Sequence, residues 1–280
     1  MTNIDSTRRG FLGGAVAAAA AGLTPAARAA APAGEDLKLS VASYSLRMFQ
    51  RPLAIKMTRQ LEVEYICLKE FHLPYTSTPE ELARAAKEFA RAGLKIVGGG
   101  VVYMQRDDDD DIRRYFEYAK AAGMPMMVIG PSRQNLPRVE KFVKQYNIPV
   151  AIHNHGPEDK QFPTPESVLE LIKGMDPRVG VCIDAGHTTR TGTNVLEAIR
   201  AAGARLLDFH IKDLKDLKDG KSQVPVGLGA MPVVEIFKLL KKMNYQGYVN
   251  LEYEIDAEDP LLGMAKSFAY MRGVLAGLRG

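Results

Sequence analysis

From Leu37 onward the chain repeats one unit eight times: a short apolar run, then a longer stretch with helical periodicity. The runs span residues 37–45, 65–71, 94–102, 125–130, 149–154, 179–184, 206–211 and 248–253. Each is bounded by glycine, proline or polar residues and reads as a strand. Between them lie amphipathic stretches such as TPEELARAAKEFARAG (78–93), LPRVEKFVKQY (136–146) and PVVEIFKLLKKM (232–243), and SFAYMRGVLAGL (267–278) closes the series. Eight strand-then-helix units predict an α/β fold, a single-domain (β/α)8 TIM barrel over residues 37–280, a fold of about 250 residues in ordinary cases. The rival architecture, a doubly wound sheet, lacks its GxGxxG fingerprint. Gly98-Gly99-Gly100 ends the third run with no helix directly after it, and Gly227-Leu228-Gly229 follows a polar loop and reads as a turn rather than a phosphate cradle.

Local signals fix several helix ends. Thr78 and Glu81 have capping-box spacing, and Gly93 and Gly123 stand where helices stop. Asp107 to Asp111 lack the interleaved spacing of a calcium loop and are expected to be a solvated helix start, where acids suit the dipole. Cys67 and Cys182 lie in different apolar runs without CxxC spacing, so two buried thiols are expected rather than a disulfide.

The first thirty-one residues follow different rules. Arg8 and Arg9 precede Phe11 and Leu12, then an alanine-rich stretch from Ala15 to Leu23 and small residues through Ala31. This is the pattern of a twin-arginine export signal, and it places the mature protein in the periplasm or another extracytoplasmic space. The apolar stretch is shorter than the roughly 20 residues of a spanning helix, so no stable membrane anchor is expected after signal removal. Formal net charge is +4, but residues 31–280 carry 34 basic and 32 acidic side chains. That balance gives no electrostatic case for nucleic acid.

All five histidines lie at or just past the end of a predicted strand. In a parallel barrel those ends form the active-site rim. Strands five to eight offer His153 or His155, Asp184, His210, and Glu252 or Glu254. Residues two apart share a face, so spacing alone leaves both pairs open. Imidazoles and carboxylates together suit one divalent cation such as Mn, Co, Zn, Ni or Fe. Glu252, Glu254, His155 and His187 are candidate bases, and Lys212 would hold developing negative charge at the same rim. Lys69, Glu70 and His72 follow strand two and face the mouth from across the barrel. Lys69 interrupts an apolar run and is a candidate catalytic residue, while Arg190 would bind an anionic group. His72, Glu70, His187, Arg190 and Asn154 complete the candidate substrate contacts.

IHNHG (152–156), IDAGH (183–187), FHIKD (209–213), the GLG turn (227–229) and NLEYE (250–254) give the chain from about Leu37 its resemblance to a known group. It resembles the xylose-isomerase-like barrel superfamily of sugar isomerases, sugar 3-epimerases, inosose dehydratases and endonuclease IV. The motifs cover the C-terminal half, and the N-terminal half matches in rhythm. In the ketose 3-epimerases one metal is held by Glu, Asp, His and Glu on strands five to eight. The resemblance implies His153, Asp184, His210 and Glu252 here. His153 is a departure, because the epimerase mechanism uses its two glutamates as a pair that removes and returns a proton.

The expected activity is therefore metal-dependent isomerisation or epimerisation of a sugar or cyclic polyol through an enediolate. The alternative is a lyase or dehydratase acting on a keto-sugar or keto-glycoside, which needs one base and one acid rather than a symmetric pair. A DNA-repair enzyme of the endonuclease IV type would need three metals and more ligands, and a non-catalytic sugar-binding barrel is the remaining class. The expected partner is a small carbohydrate, with homo-oligomerisation left open.

Overall fold

The structure is a computed structural model that describes residues 36–279, so the expected export signal lies outside the described residues. Eight parallel strands close into a barrel in chain order: β1 (Lys38–Ala42), β2 (Tyr65–Leu68), β3 (Lys95–Met104), β4 (Met127–Pro131), β5 (Val150–His153), β6 (Val179–Asp184), β7 (Leu206–Ile211) and β8 (Tyr248–Leu251). β8 pairs with β1 and completes the ring. This is the expected (β/α)8 TIM barrel. The outer layer holds α1 (Arg51–Gln60), α2 (Pro79–Arg91), α3 (Asp109–Ala121), α4 (Leu136–Tyr146), α5 (Pro165–Leu171), α6 (Ala185–Arg190), α7 (Val195–Ala202), α8 (Val233–Lys242) and α9 (Leu261–Gly277). No helix among the described residues is long and apolar enough to cross a membrane.

Alternation along the strands sorts side chains into two layers. Ile66, Leu68, Ile129, Ile152 and Ile183 pack outward against the helices. Cys67, Val97, Val128, Ala151 and Cys182 form a small cluster of their own inside the barrel. Two residues beyond Ala151 and Cys182, on the same inward face, stand His153 and Asp184. The interior therefore changes from small and apolar to ligand-rich as it rises to the C-terminal rim. Register does the rest: Asp184 lies beside His210, His153 beside Cys182, and Asn250 beside His210.

α2 shows why the helical expectations hold. Leu82, Ala85 and Phe89 form its buried stripe, and Thr78 Oγ1 accepts from Glu81 N while the Glu81 carboxylate accepts from Thr78 N. Asp108 caps α3 and Asp109 pairs with Arg138 and Lys141, as a solvated helix start should. Both cysteines are free and buried.

Several strand ends depart from the sequence expectation: the strands expected over 65–71 and 248–253 stop at Leu68 and Leu251, and three further features differ. β1 stops at Ala42, and Ser43–Leu46 form a 3-10 turn whose Ser45 hydroxyl donates to Leu251 O and accepts from Tyr253 N. The hydroxyl replaces ladder bonds, so the turn reads as a continued strand. β3 runs to Met104 rather than 102. A short antiparallel ribbon, Asp213–Leu214 with Gln223–Val224, follows β7.

Candidate metal centre and active-site cavity

His153, Asp184, His210 and Glu252 each bring a donor atom to one place, all within 4.8 Å of one another and all buried. His153 Nε2 is 3.2 Å from His210 Nδ1 and 3.7 Å from Asp184 Oδ2, and Glu252 Oε2 is 3.3 Å from His210 Nδ1. Sequence spacing left each of two pairs open; the structure selects His153 and Glu252 for this cluster. His155 and Glu254 lie farther out, in the cavity wall.

Each donor is aimed by its own neighbours. Asp184 caps α6 through Oδ1, which accepts from His187 N at 2.8 Å. That leaves Asp184 Oδ2 facing the cluster, buried and without a hydrogen bond. Asn154 accepts from Asp184 N and donates to Thr188 Oγ1, so it ties the end of β5 to α6 rather than facing the cavity. Glu252 rests on the ribbon: Gln223 donates to Glu252 O and accepts from Glu254 N. His210 Nε2 lies 3.3 Å from Asp208 Oδ2, and Asp208 Oδ1 accepts from Asn250. A carboxylate on Nε2 keeps the proton there and leaves Nδ1 free for the cluster.

Lys212 supplies the balancing charge. Its Nζ donates to Glu252 Oε2 at 2.9 Å and Glu254 Oε2 at 2.6 Å and lies 3.1 Å from Asp184 Oδ2. Burial alone would lower its pKa, but Asp184, Glu252 and Glu254 together hold it well above the usual lysine value. The lysine stem passes Gly186, where a Cβ would lie 2.6 Å from Lys212 Cγ, so the glycine of IDAGH makes room for it.

Three of the rim imidazoles are held toward the neutral form, whereas His210, against the lowering effect of burial, is held well above the usual histidine value by Cys182, Glu252 and Asp208. Burial pushes His153 well below the usual range, lowers His155, and with the Lys212 charge takes His187 to about 3. Their partners set opposite tautomers. Asp159 Oδ2, 3.3 Å from His155 Nδ1, holds the proton there, and His155 Nε2 accepts from the Tyr103 hydroxyl at 3.1 Å. Arg190 Nη1 donates to His187 Nδ1 at 3.1 Å, so the His187 proton sits on Nε2.

A cavity of about 300 Å³ opens over the cluster. His153, His155, His187, Glu252 and Glu254 form one side, and Lys69 and Glu70 stand on the wall from β2. Lys69 Nζ donates to Val101 O at 2.6 Å and lies 3.4 Å from Glu70. Besides Asn154, two more expected substrate contacts are elsewhere. His72 is a buried pin: Nδ1 meets Ser43 Oγ at 3.0 Å and Nε2 faces the carbonyls of Leu46 and Phe49, so its ring holds the β1 turn and has no edge left for a ligand. Arg190 pairs with Glu158 and His187 and does not line the cavity. Three residues the sequence reading passed over, Tyr44, Phe71 and Tyr103, do line it.

The glycine loop is occupied from within. Asp213 Oδ2 accepts from Gly227 N and Gly229 N, and Oδ1 accepts from Met231 N and Leu214 N. Those amides form an anion seat, and the chain's own carboxylate fills it.

The fold is a TIM barrel, and its rim carries a four-strand donor cluster of a kind that could hold a divalent cation. Residues 55–274 match the xylose isomerase-like TIM barrel family, and the chain belongs to it. Over 163 residues it is 28% identical to an inosose dehydratase of Mesomycoplasma hyopneumoniae (strain 7448), covering 51% of this chain and 53% of that protein. The chain thus spans about half the length of the curated relatives it matches. Among solved structures, an L-ribulose 3-epimerase superposes with a TM-score of 0.71 at 15% identity, covering 87% of this chain and 96% of that one. A zinc-bound IOLI protein superposes at 0.70 and 18% identity, covering 86% and 99%.

Proposed function

We propose that the protein is a divalent-metal-dependent enzyme that isomerises or epimerises a sugar or cyclic polyol by moving a proton next to a carbonyl. The convergence of His153, Asp184, His210 and Glu252 within 4.8 Å carries this reading. The residues fit a cation: two imidazoles and two carboxylates suit Mn, Fe, Co, Ni or Zn, and Asp184 Oδ2, buried, without a hydrogen bond and balanced only by the Lys212 ammonium, is the kind of acceptor a cation satisfies. When bound, the cation would polarise adjacent hydroxyl and carbonyl oxygens of the sugar and make the neighbouring C–H acidic. The IOLI protein's zinc and the two named sugar and inosose enzymes support the reading.

The chain's own residues supply acid and base. His155, protonated on Nδ1 by its contact with Asp159, offers an Nε2 lone pair that accepts a proton directly or through Tyr103. His187 presents an Nε2 proton to a substrate oxygen. Glu254, held by Lys212, lines the same wall and is positioned to take part in proton transfer. A matched acid and base of this kind also serves elimination of water. The histidine at 153, in place of a second glutamate, favours that second reading, a dehydratase or lyase on a keto-sugar or keto-glycoside.

Incubating metal-loaded protein with keto-sugars and inososes in deuterated water tests both. Deuterium at the carbon next to the carbonyl is expected; an inverted hydroxyl identifies the first reading, and loss of water or aglycone the second. No exchange across the panel would refute the enolising chemistry. The proposal also places the enzyme outside the cytoplasm, with residues 1–31 as the signal. N-terminal sequencing of protein from a periplasmic fraction checks this, and an intact Met1 there would contradict it.

A further inference from the structure

The cavity has a second wall, of which the proposed chemistry uses only the Tyr103 hydroxyl. Tyr44 follows β1, Phe71 follows β2 and Tyr103 lies near the end of β3, so three consecutive strands each bring an aromatic ring to the mouth. Phe71 is 48% exposed and Tyr103 51%. Large apolar side chains left in water beside a cavity mark a surface meant for contact. The Tyr44 and Phe71 ring centroids are 6.0 Å apart, so these two rings adjoin, and Tyr103 lines the same cavity beside Lys69 and His155.

Position separates this face from the donor cluster. The rings of His210, His153, His155 and Tyr103 form a ladder with centroid spacings of 4.8, 4.4 and 5.8 Å. Tyr103 is thus two ring contacts out from His153, level with the next ring of a ligand whose first ring lies against the donors. Charge narrows the chemistry further. Among the described residues no arginine lines the cavity, and the Lys69 ammonium is already engaged by Val101 O, Glu70 and the face of Tyr103 at 5.0 Å. The nearby backbone seat suited to an anion holds Asp213.

We propose that Tyr44, Phe71 and Tyr103 form a second subsite for a flat, uncharged, apolar ring linked to the carbohydrate. The preferred ligand is then an aryl glycoside or a similar conjugate, not a sugar phosphate. This rests on the carbohydrate reading above and names its substrate class.

Titration calorimetry on the metal-loaded protein tests it with three probes: p-nitrophenyl β-glucoside, methyl β-glucoside and glucose 6-phosphate. The aryl glycoside should bind about tenfold or more tighter than the methyl glycoside, the scale of aromatic stacking plus the area it covers. That ratio should fall toward one in Phe71→Ala and in Tyr103→Ala, and survive in Tyr103→Phe, which keeps the ring and loses the hydroxyl. A ratio near one in the unaltered protein, a ratio that persists in both alanine variants, or tightest binding of glucose 6-phosphate would each overturn the subsite. Methyl glucoside binding without aryl preference would overturn the subsite alone. Failure to bind any carbohydrate, including free sugars and inososes, would remove the carbohydrate reading along with it.

Discussion

Asp208 decides which nitrogen of His210 faces the cluster. It sits two residues earlier on β7, on the same inward face, buried with Cys182 and Asn250. In Asp208→Asn the amide NH2 can donate to His210 Nε2, which moves the imidazole proton to Nδ1 and takes that lone pair from the donor set. Affinity for zinc or manganese should fall roughly 10–100-fold, measured by competition with a chelating dye. A purely structural Asp208 would instead lower the melting temperature of metal-free protein and leave affinity alone. The signal was present in LLDFHI, where Asp208 shares parity with His210, but an acid in the middle of an apolar run looks like any polar interruption. His72 shows the reverse error. Its place after β2 suggested a rim contact, yet the backbone carbonyls of Leu46 and Phe49, at and just past the turn after β1, face its Nε2, and no pattern in the sequence announces them.

Elements were legible where burial is periodic. All eight strands lie where apolar runs predict them, because each is enclosed by helices outside and packed side chains inside. α1 carries a weak periodic signal, because only Ala54, Met57 and Thr58 of RPLAIKMTRQ are buried. α6 is six residues long and begins on a cluster donor, Asp184, whose capping role is invisible without the turn itself. The α2 cap gives a quantitative check. Thr78→Ala removes the acceptor for Glu81 N and should lower unfolding free energy by about 1 kcal/mol, within roughly 0.5–2, in urea titrations. No change would mean that the backbone amides find water at no cost at this exposed helix start.

At the scale of the whole molecule, the closed ring and its site stand at the top of the strands, while ion pairs secure the opposite end. Asp176 accepts from Arg178 through both oxygens, and this holds its carboxyl at about 2, below the usual carboxylate range. A depressed carboxylate stabilises the fold fully above its unfolded pKa, and the contribution is lost as pH falls through the folded value. The stability gap between the unaltered protein and Asp176→Asn should therefore be constant above about pH 5 and close between pH 4 and 2. A gap that widened on acidification would contradict the assignment. What the sequence could not convey at this scale was which side chains meet across the barrel. The Tyr103 hydroxyl reaches His155 from two strands away, and only ring closure and register bring them together.

The four cation donors come from β5 to β8, and the aromatic wall comes from β1 to β3. On the proposed reading, ion binding and ring recognition would thus be encoded in separate stretches of chain. Exchanging the N-terminal half-barrel between relatives would then change the ring the cavity accepts and leave the four donors in place.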